Sequence, residues 1–203
     1  VLMQYHQGQT TLPRLAVFLR SVGVAISKRQ LQRLLTEKQD GFLTEAVAVL
    51  RTGLEISPWI SVDDTGARHA GKNGYCTQIG NDWFTWFGTR PSKSRLNFLD
   101  LLRAGHTDYV LNDAAFDYMR DRNLSATLIA RLVNEPLTTF ANQAAWLAHL
   151  DRLEFSAADV TPDPILIATE GALWGSIQTH DFLSGAVVLN ERSPTRLAGV
   201  GWM

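Results

Sequence analysis

Two adjacent aspartates, Asp63 and Asp64, follow a short apolar segment and are well placed in this chain to hold a metal ion. Residues 59–62 carry the aromatic and β-branched side chains of a buried strand, so we predict a strand that ends at these acids. Side chains alternate across a strand, so a buried Val62 leaves Asp63 on the opposite face of a rigid backbone. Mg²⁺ prefers one or two carboxylates together with substrate phosphates. The arrangement therefore indicates metal-assisted phosphate chemistry.

The segment after the acids, residues 67–74, is polar, basic and rich in glycine, and Arg68 and Lys72 in it could contact phosphates. The same residues also have a purely structural interpretation. Asp-Asp-Thr-Gly is ordinary turn chemistry, because aspartate and glycine often end strands. The residues alone leave both interpretations open.

The elements upstream of the acids are helical. Apolar residues at helical spacing from Leu12 to Val22 predict one helix, and Gly23 ends it. Ser27, with Gln30 three residues later, predicts the start of a second helix at a capping box. Helix, glycine turn and helix form the helix-turn-helix outline. The polar residues of the second helix that could meet DNA are Lys28, Arg29, Gln32 and Arg33. The alternative is an αα-hairpin with a solvated basic face.

The elements around and after the acids alternate between types. A third helix is predicted from Asp40 or Gly41 to Arg51, with Gly53 and Pro58 ending the helical region. Two further strands, residues 75–79 and 83–87, flank a hairpin signal, and Ser92 or Ser94 caps a helix that runs through Leu102. Two segments, residues 109–113 and 185–191, then compete for the next strand. The candidate helices between them are residues 124–132, 138–153 and 168–180.

Several of these segments resemble a known family. Residues 62–69 with 71–75, residues 5–13 and 23–27, and the Ser-Arg start at residues 92–95 resemble the bacterial insertion-sequence DDE transposases of the insertion sequence sixty-six type. The resemblance is close over residues 1–102, looser over 103–190, and stops after Asn190. It implies an α/β fold with a partial ribonuclease-H-like core, in which a mixed sheet is flanked by helices. It also implies cutting and rejoining of DNA with two Mg²⁺ ions.

The resemblance also implies where the acids lie. Asp63 would be the first acid, and the strand at residues 185–191 would be the parallel neighbour that supplies the second. Glu191 occupies the first acidic position there, whereas Arg192 replaces the second. Asp113 is the alternative second acid, and otherwise a structural residue of an insertion. Mg²⁺ or Mn²⁺ is the expected cofactor, held at Asp63 and bound weakly by this chain.

The predicted organisation has four parts. Residues 1–55 are a helix-turn-helix-like lead-in, and residues 56–102 are the first half of the core. Residues 103–180 are a mostly helical insertion, and residues 181–203 carry the fourth core strand and an altered tail. A frameshift near Asn190 would explain that tail.

This organisation predicts a truncated, inactive transposase copy. The alternatives are a DNA-binding remnant or inhibitor of a full-length transposase, and a small metal-dependent nuclease that uses Asp63 and Asp113. The expected partners are transposon-end DNA and further copies of the chain or the full-length transposase.

The bulk composition narrows these classes. The chain has 203 residues, 45% of them hydrophobic, and a net charge of −1, so any DNA contact must come from local basic patches. One cysteine, Cys76, excludes an intramolecular disulfide and fits a reducing cytoplasm. The resemblance implies a bacterial cytoplasm and association with the nucleoid. No apolar run reaches the length of a membrane span. The five histidines are scattered in sequence, which argues against a zinc site.

Overall fold

A computed structural model gives the structure of the protein and describes residues 1–155, 163–190 and 193–196. The helices are α1 (Leu2–His6), α2 (Leu12–Ser21), α3 (Lys28–Thr36), α4 (Asp40–Ile56), α5 (Arg95–Leu102), α6 (Asp113–Asp121), α7 (Ala126–Val133), α8 (Gln143–Arg152) and α9 (Pro164–Thr179). The strands are β1 (Trp59–His69), β2 (Lys72–Gly80), β3 (Thr85–Arg90), β4 (Tyr109–Val110), β5 (Thr139–Phe140), β6 (Val187–Asn190) and β7 (Ser193–Arg196). The protein is thus mixed α/β, and it divides into two compact units, residues 1–46 and residues 47–203.

The N-terminal unit contains the two helices joined by a glycine turn that the sequence predicts. The Ser27 hydroxyl accepts a hydrogen bond from the backbone N–H of Gln30 at 3.2 Å, and the Gln30 side chain accepts one from the Ser27 N–H at 2.9 Å. This capping box begins α3. After α2, Gly23 adopts a left-handed φ of +85°, which glycine tolerates at little cost. Leu15 and Leu31 are buried together in a small core of this unit.

The main sheet of the second unit has the strand order β3-β2-β1-β6-β7. Strands β1, β2 and β3 pair antiparallel in sequence order. Strand β6 lies parallel to β1, with Trp59 beside Val187 and Val62 beside Asn190. The later of the two competing segments is therefore the neighbour of β1, as the resemblance implies. A mixed sheet flanked by helices is compatible with a partial ribonuclease-H-like fold.

The earlier competing segment has a different place. Strand β4 comprises only Tyr109 and Val110, and it pairs with β5 in a separate two-stranded sheet. The predicted strand stops short of Asp113 because the Asn112 side chain accepts a hydrogen bond from the Ala115 N–H at 2.9 Å and caps α6. Asp113 is then the first residue of α6 and is exposed.

Two element boundaries near the acids also differ from the prediction. Strand β1 does not end at the acids but continues to His69, and it turns through Ala70 and Gly71, at φ +49° and +78°, into β2. Residues 65–68 are exposed, so the sequence there has no apolar pattern that predicts a strand. Backbone pairing with β2 stabilises this extension. Helix α4 likewise continues through Gly53. A Cβ there would lie 2.5 Å from the ring of Phe84, so this glycine makes room for the ring and does not end the helix.

The segment between β3 and β6 forms the bulk of the core. Helix α9 is buried from Ile167 to Ile177, as expected for a helix that is surrounded by other elements. It packs against α5, α6 and β4. No helix in the described part of the chain is long and apolar enough to cross a bilayer.

Candidate functional site

The two acids of β1 lie on opposite faces of the main sheet. Val62 packs against the core, and Asp64 shares its face, whereas Asp63 points to the outer face and is exposed. The Asp63 Oδ1 atom accepts a hydrogen bond from the backbone N–H of Asp64 at 2.7 Å. Phe87 shares this outer face and is 63% exposed. The outer face is therefore open around Asp63.

Asp64 is engaged with other protein groups. Thr77 pairs with Asp64 on β2, and its hydroxyl donates a hydrogen bond to Asp64 Oδ1 at 2.5 Å. The Lys93 ammonium lies 3.9 Å from Asp64 Oδ2. Both carboxylate oxygens of Asp64 thus have protein partners, whereas among the described residues Asp63 has no cationic partner. Asp63 is the more available of the two carboxylates.

The predicted second acid, Glu191, is the next residue in the sequence after β6. The register places Asn190 beside Val62, one residue before Asp63. Glu191 follows directly, but it lies outside the described residues. Asp113 does not take this place. It is the first residue of α6, and the strand that precedes it, β4, belongs to the other sheet. The small-nuclease interpretation therefore loses the strand pairing on which it depends.

The described residues alone do not complete a site for two Mg²⁺ ions. On β2, the residue that pairs with Asp63 is Gln78, whose side chain is an amide and not a second carboxylate. Within the described ranges, no cluster of three His, Cys, Asp or Glu side chains suited to a metal ion includes Asp63. One carboxylate without substrate phosphates is a weak Mg²⁺ ligand set.

The polar residues of α3 that are predicted to contact DNA differ in whether their side chains already have a protein partner. Lys28, Arg29 and Gln32 are exposed on α3, and none has a side-chain partner among the described residues. Arg33 instead forms an ion pair with Glu37 one turn later, with Nε 2.9 Å from Oε2. Arg29 is thus the exposed guanidinium on this helix that has no ion-pair partner among the described residues.

The two basic residues of the β1–β2 hairpin lie on opposite faces of the strand pair, because Lys72 pairs with His69 whereas Arg68 pairs with Asn73. Arg68 and Lys72 stand on either side of the turn at residues 70 and 71 and are both exposed. They belong to the same strand pair as Asp63, which is exposed five residues before Arg68. The side chain of His69, between them, lies outside what the structure describes.

A buried carboxylate lies inside the core on α9. Glu170 is 3% exposed and accepts a hydrogen bond from the hydroxyl of Tyr118 at 2.7 Å. Arg95 and Arg122 lie 3.8 and 4.0 Å from its Oε2 atom. Burial first, and then the hydrogen bond to Glu170, raise the pKa of Tyr118 above its ordinary value. A hydroxyl and two partly exposed guanidinium groups thus surround one buried carboxylate, which indicates a structural role for Glu170.

The structure also brings together a cluster that the sequence does not reveal. His106 and Asp108 lie in the connection before β4, and His180 is the C-cap of α9, 74 residues after His106. The His180 Nε2 atom lies 3.1 and 3.2 Å from the two carboxylate oxygens of Asp108. The rings of His106 and His180 stack with their centroids 3.6 Å apart. Histidines that are scattered in the sequence are therefore neighbours in the structure, because packing of α9 against β4 brings them together.

Comparisons with known proteins identify a family and a relative. Residues 1–165 match the family described as "Transposase IS66 family". The chain is also 42% identical over 143 residues to "Uncharacterized protein y4jO" of Sinorhizobium fredii (strain NBRC 101917 / NGR234). That match covers 70% of this chain and 44% of the relative, so the chain spans less than half of the relative's length. No solved structure matches the chain.

Proposed function

Because the chain belongs to the IS66 transposase family, we propose that it forms the DNA-binding lead-in and the first part of the catalytic core of a DDE transposase. The observation that carries the proposal is the parallel pairing of β6 with β1, which brings the end of β6 to the position of Asp63. Carboxylates at the ends of neighbouring parallel strands are close enough to share metal ions roughly 3.5–4 Å apart. This is the arrangement that phosphodiester cleavage and strand transfer require.

In this proposal Asp63 is the first acid of the site. It is exposed on a paired strand and has no cationic partner among the described residues, whereas Asp64 is held by Thr77 and Lys93. The second acid comes from the end of β6, where Glu191 is the candidate. Asp64 then acts as a positioning residue, because its bond to Thr77 fixes the strand on which Asp63 stands.

The chain by itself is proposed to bind DNA without cutting it. Arg192 stands at the second position of the family's adjacent pair of acids, directly after Glu191, and Gln78, which pairs with Asp63 on β2, carries an amide. A protein that binds transposon ends without cleaving them would compete with a full-length transposase. A role as an inhibitor of such a transposase is therefore the second form of the proposal.

Salt-dependent DNA binding tests the lead-in. Arg29→Ala should weaken binding to a duplex that carries the element's terminal repeat, and should lower the slope of log K against log salt by about one. Arg33→Ala should have a smaller effect, because Arg33 is already paired with Glu37. Arg120→Ala is the matched control, since Arg120 is exposed on α6 and paired with Asp117. Equal affinity and slope for wild type and Arg29→Ala would mean that this face of α3 is only solvated.

Strand cleavage and Mn²⁺ binding test the site. The purified chain should not nick the terminal-repeat duplex in Mg²⁺ or Mn²⁺. Calorimetry in a His180→Gln background, which keeps Mn²⁺ away from the stacked pair of His106 and His180, should show weak Mn²⁺ binding that Asp63→Asn abolishes. Asp82→Asn is the control, because Asp82 is an exposed aspartate in the β2–β3 turn. Cleavage that Asp63→Asn abolishes would refute the inactivity but support the role of Asp63. Mn²⁺ binding that survives Asp63→Asn in that background would refute that role.

A further inference from the structure

We propose that His106, Asp108 and His180 form a binding site for a divalent transition-metal ion, with Zn²⁺ as the fitting ion. Each residue offers one ligand atom, and the three atoms lie within 4.8 Å of one another. Two imidazoles and one carboxylate are a common donor set for zinc, with a water completing the coordination. This cluster includes neither acid of β1, so the site is separate from the proposed catalytic one.

The spacing of the His180 and Asp108 ligand atoms suits one ion, and the His106 ligand atom lies within 4.8 Å of them. In a tetrahedral site with zinc–ligand distances near 2.0–2.1 Å, two ligand atoms are about 3.3 Å apart. The separations of 3.1 and 3.2 Å between His180 Nε2 and the Asp108 oxygens are close to that value. A zinc ion would therefore replace the proton that His180 and Asp108 now share, with little movement of either side chain.

The surrounding residues hold the three ligands in place. Arg103 donates a hydrogen bond from Nη1 to the carbonyl of Asp108 at 3.0 Å, and the N–H of His106 donates to the carbonyl of Arg103 at 3.0 Å. The buried ring of Phe182 lies 5.8 and 5.9 Å from the rings of His106 and His180. Binding would thus order few additional groups, which lowers its entropic cost.

The charges around the cluster set the affinity. His180 caps the C-terminus of α9, where the helix dipole favours a cation. The guanidinium groups of Arg51 and Arg103 are close enough to act on His106 and oppose a second positive charge. We therefore expect reversible binding that is weaker than in a dedicated structural zinc site with thiolate ligands.

Competition with a chromophoric zinc chelator tests the site in the full chain. Excess Mg²⁺ is included to occupy sites made only of oxygen ligands, because imidazole ligands favour Zn²⁺. Wild type should bind one Zn²⁺ per chain, and Zn²⁺ should raise its Tm. Asp108→Asn and His180→Gln should each weaken binding at least about tenfold. His6→Gln, at an exposed histidine of α1, should bind as wild type does.

His106→Gln provides a gentler variant, because the described contacts of the His106 side chain are ring contacts without a hydrogen bond. Circular dichroism establishes that each variant is folded before its affinity is compared. The proposal is overturned if wild type binds no stoichiometric Zn²⁺. It is also overturned if folded His106→Gln and Asp108→Asn both bind as tightly as wild type, since the ion would then lie elsewhere.

Discussion

The close approach of α9 to β4 depends on Gly175, and its replacement by alanine should destabilise the second unit. A Cβ at this position would lie 2.2 Å from the carbonyl oxygen of Val110 and 3.0 Å from Asn112 Oδ1 and the Cβ of Ala115. The closest of these atoms is backbone, so relief requires α9 and β4 to move apart. The Asn112 side chain also donates a hydrogen bond to the Gly175 carbonyl at 3.0 Å, and that contact would shift with it.

The size of the effect follows from two opposing terms. Overpacking a filled core costs about 1–3 kcal/mol, and the backbone clash places Gly175→Ala at the upper end. Replacing glycine by alanine inside a helix returns about 1 kcal/mol. The free energy of unfolding should therefore fall by about 2 kcal/mol, which lowers the Tm by about 4–8 °C in a chain of this size.

Gly171→Ala is the matched control, one turn earlier on the same helix. Its Cβ would lie 2.7 and 2.8 Å from Met119 side-chain atoms and 3.0 Å from the Ala115 carbonyl oxygen. Methionine is flexible and can rearrange, so the net change should stay within about 1 kcal/mol. Urea unfolding of both variants gives the comparison. If Gly175→Ala proves as stable as Gly171→Ala, the close approach of α9 to β4 does not limit the packing.

Two further predictions concern pH and the lead-in. Burial first, and then neighbouring positive charge, lower the pKa of His106 and His149, so below pH 6.5 the unfolded chain binds more protons than the folded chain. The free energy of unfolding should therefore fall as the pH drops through 6.5, and it should fall less in His149→Gln. Urea titrations at about pH 7.5 and about pH 5.5 measure this change. A free energy of unfolding that rises as the pH drops would contradict the prediction. Ser27→Ala removes the capping box and should cost about 1 kcal/mol of stability in the N-terminal unit. Thermal melting by circular dichroism measures that loss, and a melting curve like that of the control Thr36→Ala would show that the cap is dispensable.

Local signals in the sequence predicted local structure well. The Ser27–Gln30 spacing specifies the start of α3, because a capping box is complete within four residues. The orientation of Asp63 opposite Val62 followed from strand alternation alone. The hairpin signal at residues 80–82 marks the turn between β2 and β3, although β3 begins at Thr85 because Asn81 and Phe84 close the turn with a backbone hydrogen bond of 2.9 Å.

Sequence patterns did not predict the features that depend on contacts between distant residues. The extension of β1 to His69 needs β2 as its partner, and the passage of α4 through Gly53 needs the ring of Phe84. The cluster of His106 and His180 needs α9 to lie beside β4. Each of these is set by tertiary packing, which the period of the local pattern does not contain. The resemblance to a family supplied the parallel neighbour of β1, which residue patterns alone left open between two segments.

The pairing of β1 with β6 also governs the order in which the protein can assemble during synthesis. Trp59 and its partner Val187 are 128 residues apart in the chain. At 5–20 residues per second, a ribosome needs roughly 6–26 s to make that interval. During this time the β1–β2–β3 meander can form, but the edge of β1 that receives β6 stays open and can pair with other strands. The edge that carries Asp63 is therefore completed late, after the helices between β3 and β6 have been made.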